Sequence, residues 1–306
     1  MTVRVPAKLN LQLAVGPPRA DGYHDLVTVF HAVSLFDEIT AEPARRDGIT
    51  VTGEGADRVP ANRDNLALRA VAALRKAAAG AAGPGGVHIT IAKRIPVAAG
   101  LAGGSADAAA ALVACNELWG SGVSQARLLE IAARVGSDVA FALLGGTAVG
   151  RGRGERLTQA LAPATQCHWV LAFADGHLST PEVYAALDRL RAAGGAVVPA
   201  EPDLDAALMS ALRSGDARML GRALSNDLQP AALSLFPALR KTLAAGLELG
   251  ALSALVSGSG PTCMFLAPSA DRALDLAASM SGAGVCRSVA RVTGPVPGAA
   301  VLPRAR

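Results

Sequence analysis

The sequence predicts an α+β chain folded as two domains. Strands and helices mix along it without strict strand-helix-strand alternation, which disfavours a doubly wound parallel sheet. Its 306 residues suit about two domains at roughly 150 residues each. Its composition, 51% hydrophobic and 18% charged, can fill a sizeable core and excludes wholesale disorder. Aromatic residues make up only 3%, so the core rests on Ala, Val and Leu, and each Tyr and Trp is worth locating.

The opening segment is the clearest element. From Val3 to Val15 every odd position is apolar, while the even positions include Arg4, Lys8, Asn10 and Gln12. Such alternation predicts a strand with one buried and one polar face, with Lys8 and Asn10 projecting together roughly 7 Å apart. Gly16-Pro17-Pro18 ends it and Asp21-Gly22 signals a turn. Further strands are expected at Val27–Leu35, Ile39–Ala41, Ile49–Val51 and Val87–Ile91, with a helix over Asn65–Ala79 broken by Gly80–Gly86. Ala106–Trp119 is a helix by propensity, and Gln125–Val135 follows Ser124 as N-cap. Val139–Leu144 is a short helix. Gly145–Glu155 holds five glycines, and the division is expected near its end, giving domains 1–155 and 156–306.

The second half predicts strands at Trp169–Ala174, Ala251–Val256, Cys263–Leu266 and Val285–Val292. Helices are expected at Pro181–Arg191, Leu204–Arg213, Ala217–Leu224, Pro237–Leu247 and Ala270–Met280. A Gly/Pro-containing stretch runs from Gly194 to Pro202. No internal repeat is present.

Charge and cysteine content narrow the function classes. The net charge is +4, spread along the chain rather than clustered, which is no nucleic-acid footprint but suits small anionic ligands. Cys115, Cys167, Cys263 and Cys286 lie far apart with no metal-ligand spacing and read as reduced core residues. No apolar run reaches the roughly 18 residues of a membrane span, and Asn10 and Gln12 interrupt any signal-peptide core. A cytoplasmic protein with no membrane partner is expected.

Four motifs carry the chemistry. Pro96-Val97-Ala98-Ala99-Gly100-Leu101-Ala102-Gly103-Gly104-Ser105-Ala106 runs straight into a helix. Its glycines let backbone N–H groups converge, and the helix start adds unpaired donors and a positive dipole end, which suits a polyphosphate. No Gly-Lys pair exists, so it is not a Walker loop; alone it reads equally as an Ala/Gly-rich helix start. The others are Gly136-Ser137-Asp138 before a short helix, Ser257-Gly258-Ser259-Gly260-Pro261-Thr262 between two strands, and Asp21-Gly22-Tyr23-His24. Singly they read as a cap, a hairpin loop and a surface turn.

Taken in order with Pro6–Asn10, these motifs resemble the GHMP superfamily of small-molecule kinases over residues 3 to about 292. The resemblance implies an N-terminal domain like ribosomal protein S5 domain 2 and a ferredoxin-like C-terminal domain. It implies ATP and Mg²⁺, and a catalytic pair at Lys8 and Asp138. Asp138, at the positive end of a helix, is expected to orient the hydroxyl and accept its proton late, with Lys8 holding it and offsetting phosphoryl charge. Pro6–Asn10 with Asp21–His24 is similar to the members that act on a cytidyl diphosphate sugar alcohol. By that likeness Tyr23 and Tyr184 are the walls around cytosine, His24 binds its edge, and Asn10 and Thr180 bind the substrate. Asn65, Leu66 and Lys93 resemble adenine-side positions. Asp107 and Asp138 are the candidate carboxylates for Mg²⁺, with the metal mainly on phosphates. Ala99, Ala102 and Ala106 stand where relatives often carry Gly or Ser. A mevalonate- or homoserine-type kinase and a nucleotide-binding regulator without turnover remain alternatives. A monomer or weak homodimer is expected.

Overall fold

The computed structural model describes residues 1–78, 85–160, 165–195 and 198–303. The alternating opening segment becomes β1 (Thr2–Pro18), which lies antiparallel along β2 (His24–Ala44). The two strands expected at Val27–Leu35 and Ile39–Ala41 are one strand of 21 residues. Register shifts at Pro6/Ala7 and Asn10/Gln12 take up the twist of so long a pair and let the ladder continue. β3 (Gly48–Gly53) runs parallel to β4 (Gly86–Lys93). β4 pairs along the Glu38–Ala44 part of β2, and β5 (Thr147–Gly152) pairs along Leu26–His31. β6 (Arg156–Gln159) joins β5 and carries the sheet past Glu155.

The second sheet is antiparallel, in the order β11 (Ser288–Gly294), β7 (Cys167–Phe173), β10 (Cys263–Ala267), β9 (Ser253–Val256). Two short strands of the second half, β8 (Ser225–Asn226) and β12 (Ala300–Val301), return to β1. The last long strand starts at Ser288 rather than Val285, and the Val285 carbonyl accepts the Thr242 hydroxyl at 2.6 Å.

α1 (Leu66–Ala77) is capped by Asn65, whose Oδ1 accepts the Ala67 N–H at 2.9 Å; the expected end at Ala79 lies outside the described residues. α2 (Gly103–Trp119) is the central helix. It is buried on nearly all sides, and its alanines let both sheet and helices approach closely. α3 (Gln125–Val135) starts at the expected Ser124 cap, and α4 (Ser137–Leu144) follows. The second half adds α5 (Thr180–Gly194), α6 (Ala206–Ser214), α7 (Ala217–Ala223), α8 (Gln229–Leu235), α9 (Leu239–Glu248) and α10 (Ala270–Gly282). α8 was not expected from the pattern. It is short, begins with proline in its first turn, and buries Ala231 and Ala232.

The period of two sorts β7 between two cores. Trp169, Leu171 and Phe173 join the core that surrounds α2, whereas Val170 and Ala172 face the core under α9 and α10. At Gly246 a Cβ would lie 2.1 Å from the Phe265 ring, so α9 reaches β10 only as glycine. Among the described residues no helix is long and apolar enough to cross a membrane.

β1 departs from the expected one polar face. Its odd positions are buried as predicted, yet Lys8, Asn10 and Gln12 are buried too. The polar face is covered by distant chain: Gly100 O accepts from Lys8 Nζ, and Gln12 bonds Asp203 O and the Asp205 N–H. Buried polar groups are affordable there because each has a partner.

Candidate active site

A cleft of about 550 Å³ is lined from both halves of the chain. One wall is the loop from Pro96 to Ala102 and the start of α2. Pro96, Val97, Ala98, Ala99, Gly100, Ala102, Gly103, Gly104 and Ser105 face the cleft. Leu101 and Ala106, also expected in the phosphate loop, do not line the cleft; their apolar side chains are buried in the core and seat the loop. α2 begins with no side-chain cap, so the unpaired N–H groups of its first turn are free to bind an anion. The backbone strain falls on Ala98 and Ala102, at φ 54° and 58°, and not on Ala99 or Ala106. A left-handed alanine costs roughly 1 kcal/mol, so these residues hold the loop in a shape the sequence does not favour locally.

The second glycine loop braces the first. At Gly100 a Cβ would lie 2.1 Å from Ser257 O, and Ser257 Oγ donates to Gly100 O at 3.3 Å. Gly258 and Ser259 line the cleft; Ser257 and Gly260 do not and act as packing behind it. Ser259 shares a hydrogen bond of 2.9 Å with Thr180, the first residue of α5.

Lys8 and Asp138 both line this cleft. Lys8 Nζ donates to Asn10 Oδ1 at 2.6 Å and to Gly100 O at 3.0 Å. Asn10 Nδ2 in turn donates to Thr28 Oγ1 at 2.8 Å, which fixes the amide. Burial lowers the Lys8 pKa, and the charge of Asp138 opposes that fall. Among the described residues Lys8 and Asp138 form no ion pair within 4.0 Å, and the Asp138 charge reaches Lys8 through space. The Lys8 ammonium is held by Asn10 and the loop carbonyl, and Asp138 lines the same cleft from the first turn of α4.

Asn65 and Leu66 line the cleft at the start of α1, together with Arg58, Val59 and Pro60. Lys93 lines it too, but its ammonium is committed elsewhere. Nζ lies 2.5 Å from Asp37 Oδ2 and 2.8 Å from Asp107 Oδ2, all three buried. Burial works against the Lys93 charge, and the two carboxylates outweigh it and raise its pKa. Burial pushes the Asp107 carboxyl up, the Lys93 ammonium pulls it down, and the nearby Asp37 charge adds to the rise.

The far wall carries aromatic and charged side chains. Tyr184 on α5 lines the cleft, and its ring lies 5.0 Å from that of His24. His24 Nε2 is 3.0 Å from Asp188 Oδ1, one helical turn beyond Tyr184, so that ring nitrogen is engaged within the protein. Tyr23 does not line the cleft: it is 54% exposed, with the Arg153 guanidinium 4.6 Å from its ring centroid. Arg153 itself lines the cleft from the turn between β5 and β6. It was missed in the sequence because Gly145–Glu155 reads as a linker; a lone basic residue amid glycines was the available signal.

Among the described residues there is no cluster of three or more metal-ligating side chains. The carboxylates on the cleft are Asp64, Asp107 and Asp138, and Ser105 is among its hydroxyls. Asp107 is bound to an ammonium, which disfavours a second cation. Ser105 and Asp138 fit Mg²⁺, an ion that needs only one or two protein oxygens beside phosphates and water.

Comparison with known proteins shows the family. The profile of the GHMP kinases N terminal domain matches residues 65–146, and that of the GHMP kinases C terminal matches residues 208–286. The chain is 57% identical to a 4-diphosphocytidyl-2-C-methyl-D-erythritol kinase of Thermobifida fusca, covering 99% of this chain and 98% of the relative. A crystal structure of a 4-(cytidine 5'-diphospho)-2C-methyl-D-erythritol kinase superposes with a TM-score of 0.76 at 36% identity, covering 96% of this chain and 98% of the other. A homoserine kinase of Cytophaga hutchinsonii gives a TM-score of 0.70 at 20% identity, covering 96% and 93%, a likeness of fold alone. Fold, cleft and relatives converge: the chain belongs to the GHMP kinases and, within them, to the family of 4-diphosphocytidyl-2-C-methyl-D-erythritol kinases.

Proposed function

We propose that the protein transfers the γ-phosphoryl group of ATP to the 2-hydroxyl of 4-diphosphocytidyl-2-C-methyl-D-erythritol, in the non-mevalonate route to isoprenoid precursors. The observation that supports this most is the meeting, in one cleft, of Lys8, Asp138, an uncapped helix start and Tyr184. A mevalonate- or homoserine-type substrate has no use for an aromatic wall.

The first-turn N–H groups of α2 receive the phosphate chain and favour its charge. Asn65 and Leu66 border the adenine. Tyr184, with His24 beside it, stacks on the cytosine, and Tyr23 with Arg153 closes that end. Asn10 and Thr180 are the polar neighbours of the sugar alcohol. Asp138 orients the 2-hydroxyl and takes its proton as the new O–P bond forms and the bond from γ-phosphorus to the β-bridging oxygen breaks; ADP carries away the electron pair. A weakly basic carboxylate suffices, because phosphoryl transfer is largely dissociative and depends on positioning. Lys8 offsets charge on the phosphoryl oxygens. Bound with ATP, Mg²⁺ neutralises phosphate charge, and Ser105 and Asp138 are the residues that would hold it.

We place the ATP-binding domain at residues 1–155 and the second domain at 156–306, with β6, β8 and β12 crossing back to the first sheet. The free thiols of Cys115, Cys167, Cys263 and Cys286 suit a reducing cytoplasm. A coupled assay of ADP release with and without the cytidyl substrate tests the reading. Release that depends on the substrate is expected, and release that ignores it would overturn the assignment.

A further inference from the structure

The buried Asp37–Lys93–Asp107 triad touches both ends of the phosphate loop. At the start, Asp37 Oδ1 accepts the Arg94 N–H at 2.6 Å and the Ile95 N–H at 2.8 Å, the two residues that lead into Pro96. At the end, Asp107 sits in α2 four residues after Gly103, and its Oδ2 accepts from Lys93. Gly103 lies directly on the ammonium: a Cβ there would stand 3.0 Å from Lys93 Nζ and 3.1 Å from Ile95 Cγ2. Between these anchors the chain turns through two left-handed alanines, Ala98 and Ala102, a shape it must be held in. The triad is too costly to bury for packing alone, since a buried ion pair rarely repays its desolvation.

We infer that Asp37, Lys93 and Asp107 form an ionic clasp that closes the two ends of the phosphate loop on one another and so sets the curvature of the nucleotide cradle. Lys93 is then a positioning residue for the triphosphate rather than an adenine contact. Asp37 draws in the incoming backbone, Asp107 draws in the helix start, and the ammonium joins them under Gly103. The glycine is required there for clearance and not for its backbone angle, because its φ is not left-handed. This inference rests on the ATP-site reading above.

Two variants test it. Asp107→Asn cuts the helix-side arm of the clasp at constant size. Gly103→Ala leaves all three side chains of the clasp and pushes the loop away from the ammonium, in a helix that tolerates alanine. Thermal melting first confirms that each is folded, and calorimetry then measures a non-hydrolysable ATP analogue and the cytidyl substrate separately. The clasp predicts that both variants lose roughly tenfold or more in affinity for the analogue, the scale on which small displacements in a preorganised site are felt, with cytidyl substrate affinity within about twofold of wild type. Steady-state kinetics should show the same split, the ATP KM rising and the cytidyl KM holding. Gly103→Ala binding the analogue as wild type does would overturn the clasp even if Asp107→Asn failed to fold. So would an equal loss for both ligands, which marks a merely structural role. Wild-type protein that bound no ATP analogue would instead remove the ATP-site reading itself.

Discussion

The wall proposed for the nucleotide is made of main chain and buried charge, whereas the wall proposed for the cytidyl group is made of side chains reaching in from β2, α5 and the β5–β6 turn. The first is braced three times over, by the Ser257 loop, by Lys8 and by the Lys93 triad. The second has one member, Tyr23, that is 54% exposed and rests on another, Arg153. Phosphate recognition needs converging N–H groups at fixed positions, so rigidity serves it. A flat aromatic base needs only a ring to lie against, so a looser wall suffices.

The largest test of this contrast is at the junction of the two walls. Asp138→Asn should lower turnover by roughly 10²–10⁴-fold, the span of a lost proton acceptor, while the ATP analogue still binds. Turnover at the wild-type rate would remove Asp138 from the chemistry. On the far wall, Tyr184→Ala should raise the cytidyl KM by about tenfold or more, in line with roughly 1–3 kcal/mol per stacked base. Tyr23→Ala should raise it less, because Tyr23 lies outside the cleft lining; the reverse order would show that the exposed ring swings in and carries the stack.

Smaller effects refine the near wall. Ala102→Gly should relieve the left-handed strain and raise the melting temperature, by an amount equivalent to at most about 1 kcal/mol, if the loop keeps its shape. An unchanged or lower value would mean that the lost chain entropy outweighs the relief. Away from the cleft, His31 offers a pH test of the core. Burial holds its pKa at about 4, below the 6.5 of the unfolded chain. The unfolded state therefore binds the extra proton first, and stability should fall as pH drops from about 6.5 toward about 4. His31→Gln should flatten that slope in urea titrations across the window; an unchanged slope would assign the effect to other groups.

Much of the architecture is legible in the residues. Alternation marks β1, Ser124 marks the start of α3, and glycines 100, 103 and 104 mark the turn into α2. Lys8 and Asn10 on one face of β1 can be read from a period of two, and their mutual hydrogen bond follows from it. What stays hidden is whatever a distant segment decides. The polar face of β1 looks solvent-facing until Gly100 and Asp203 cover it. The ion pair of Lys93 is not legible because its partner Asp37 is 56 positions away and belongs to another strand. β8 and β12 are two residues each and owe their form to β1, so no local pattern announces them. Leu101 and Ala106 share a motif with the cleft-facing residues yet turn their side chains the other way, because a loop has an inside and an outside that sequence order alone does not separate.

The central claim is that one cleft brings phosphoryl donor, hydroxyl and the Lys8–Asp138 pair together. A crystal structure with Mg²⁺, a non-hydrolysable ATP analogue and the cytidyl substrate measures this directly. The account predicts the γ-phosphorus in line between the β-bridging atom and the substrate 2-hydroxyl, with that hydroxyl hydrogen-bonded to Asp138 and Lys8 Nζ beside the γ-phosphate oxygens. A terminal phosphate lying away from the start of α2, or a 2-hydroxyl out of reach of Asp138, would contradict it.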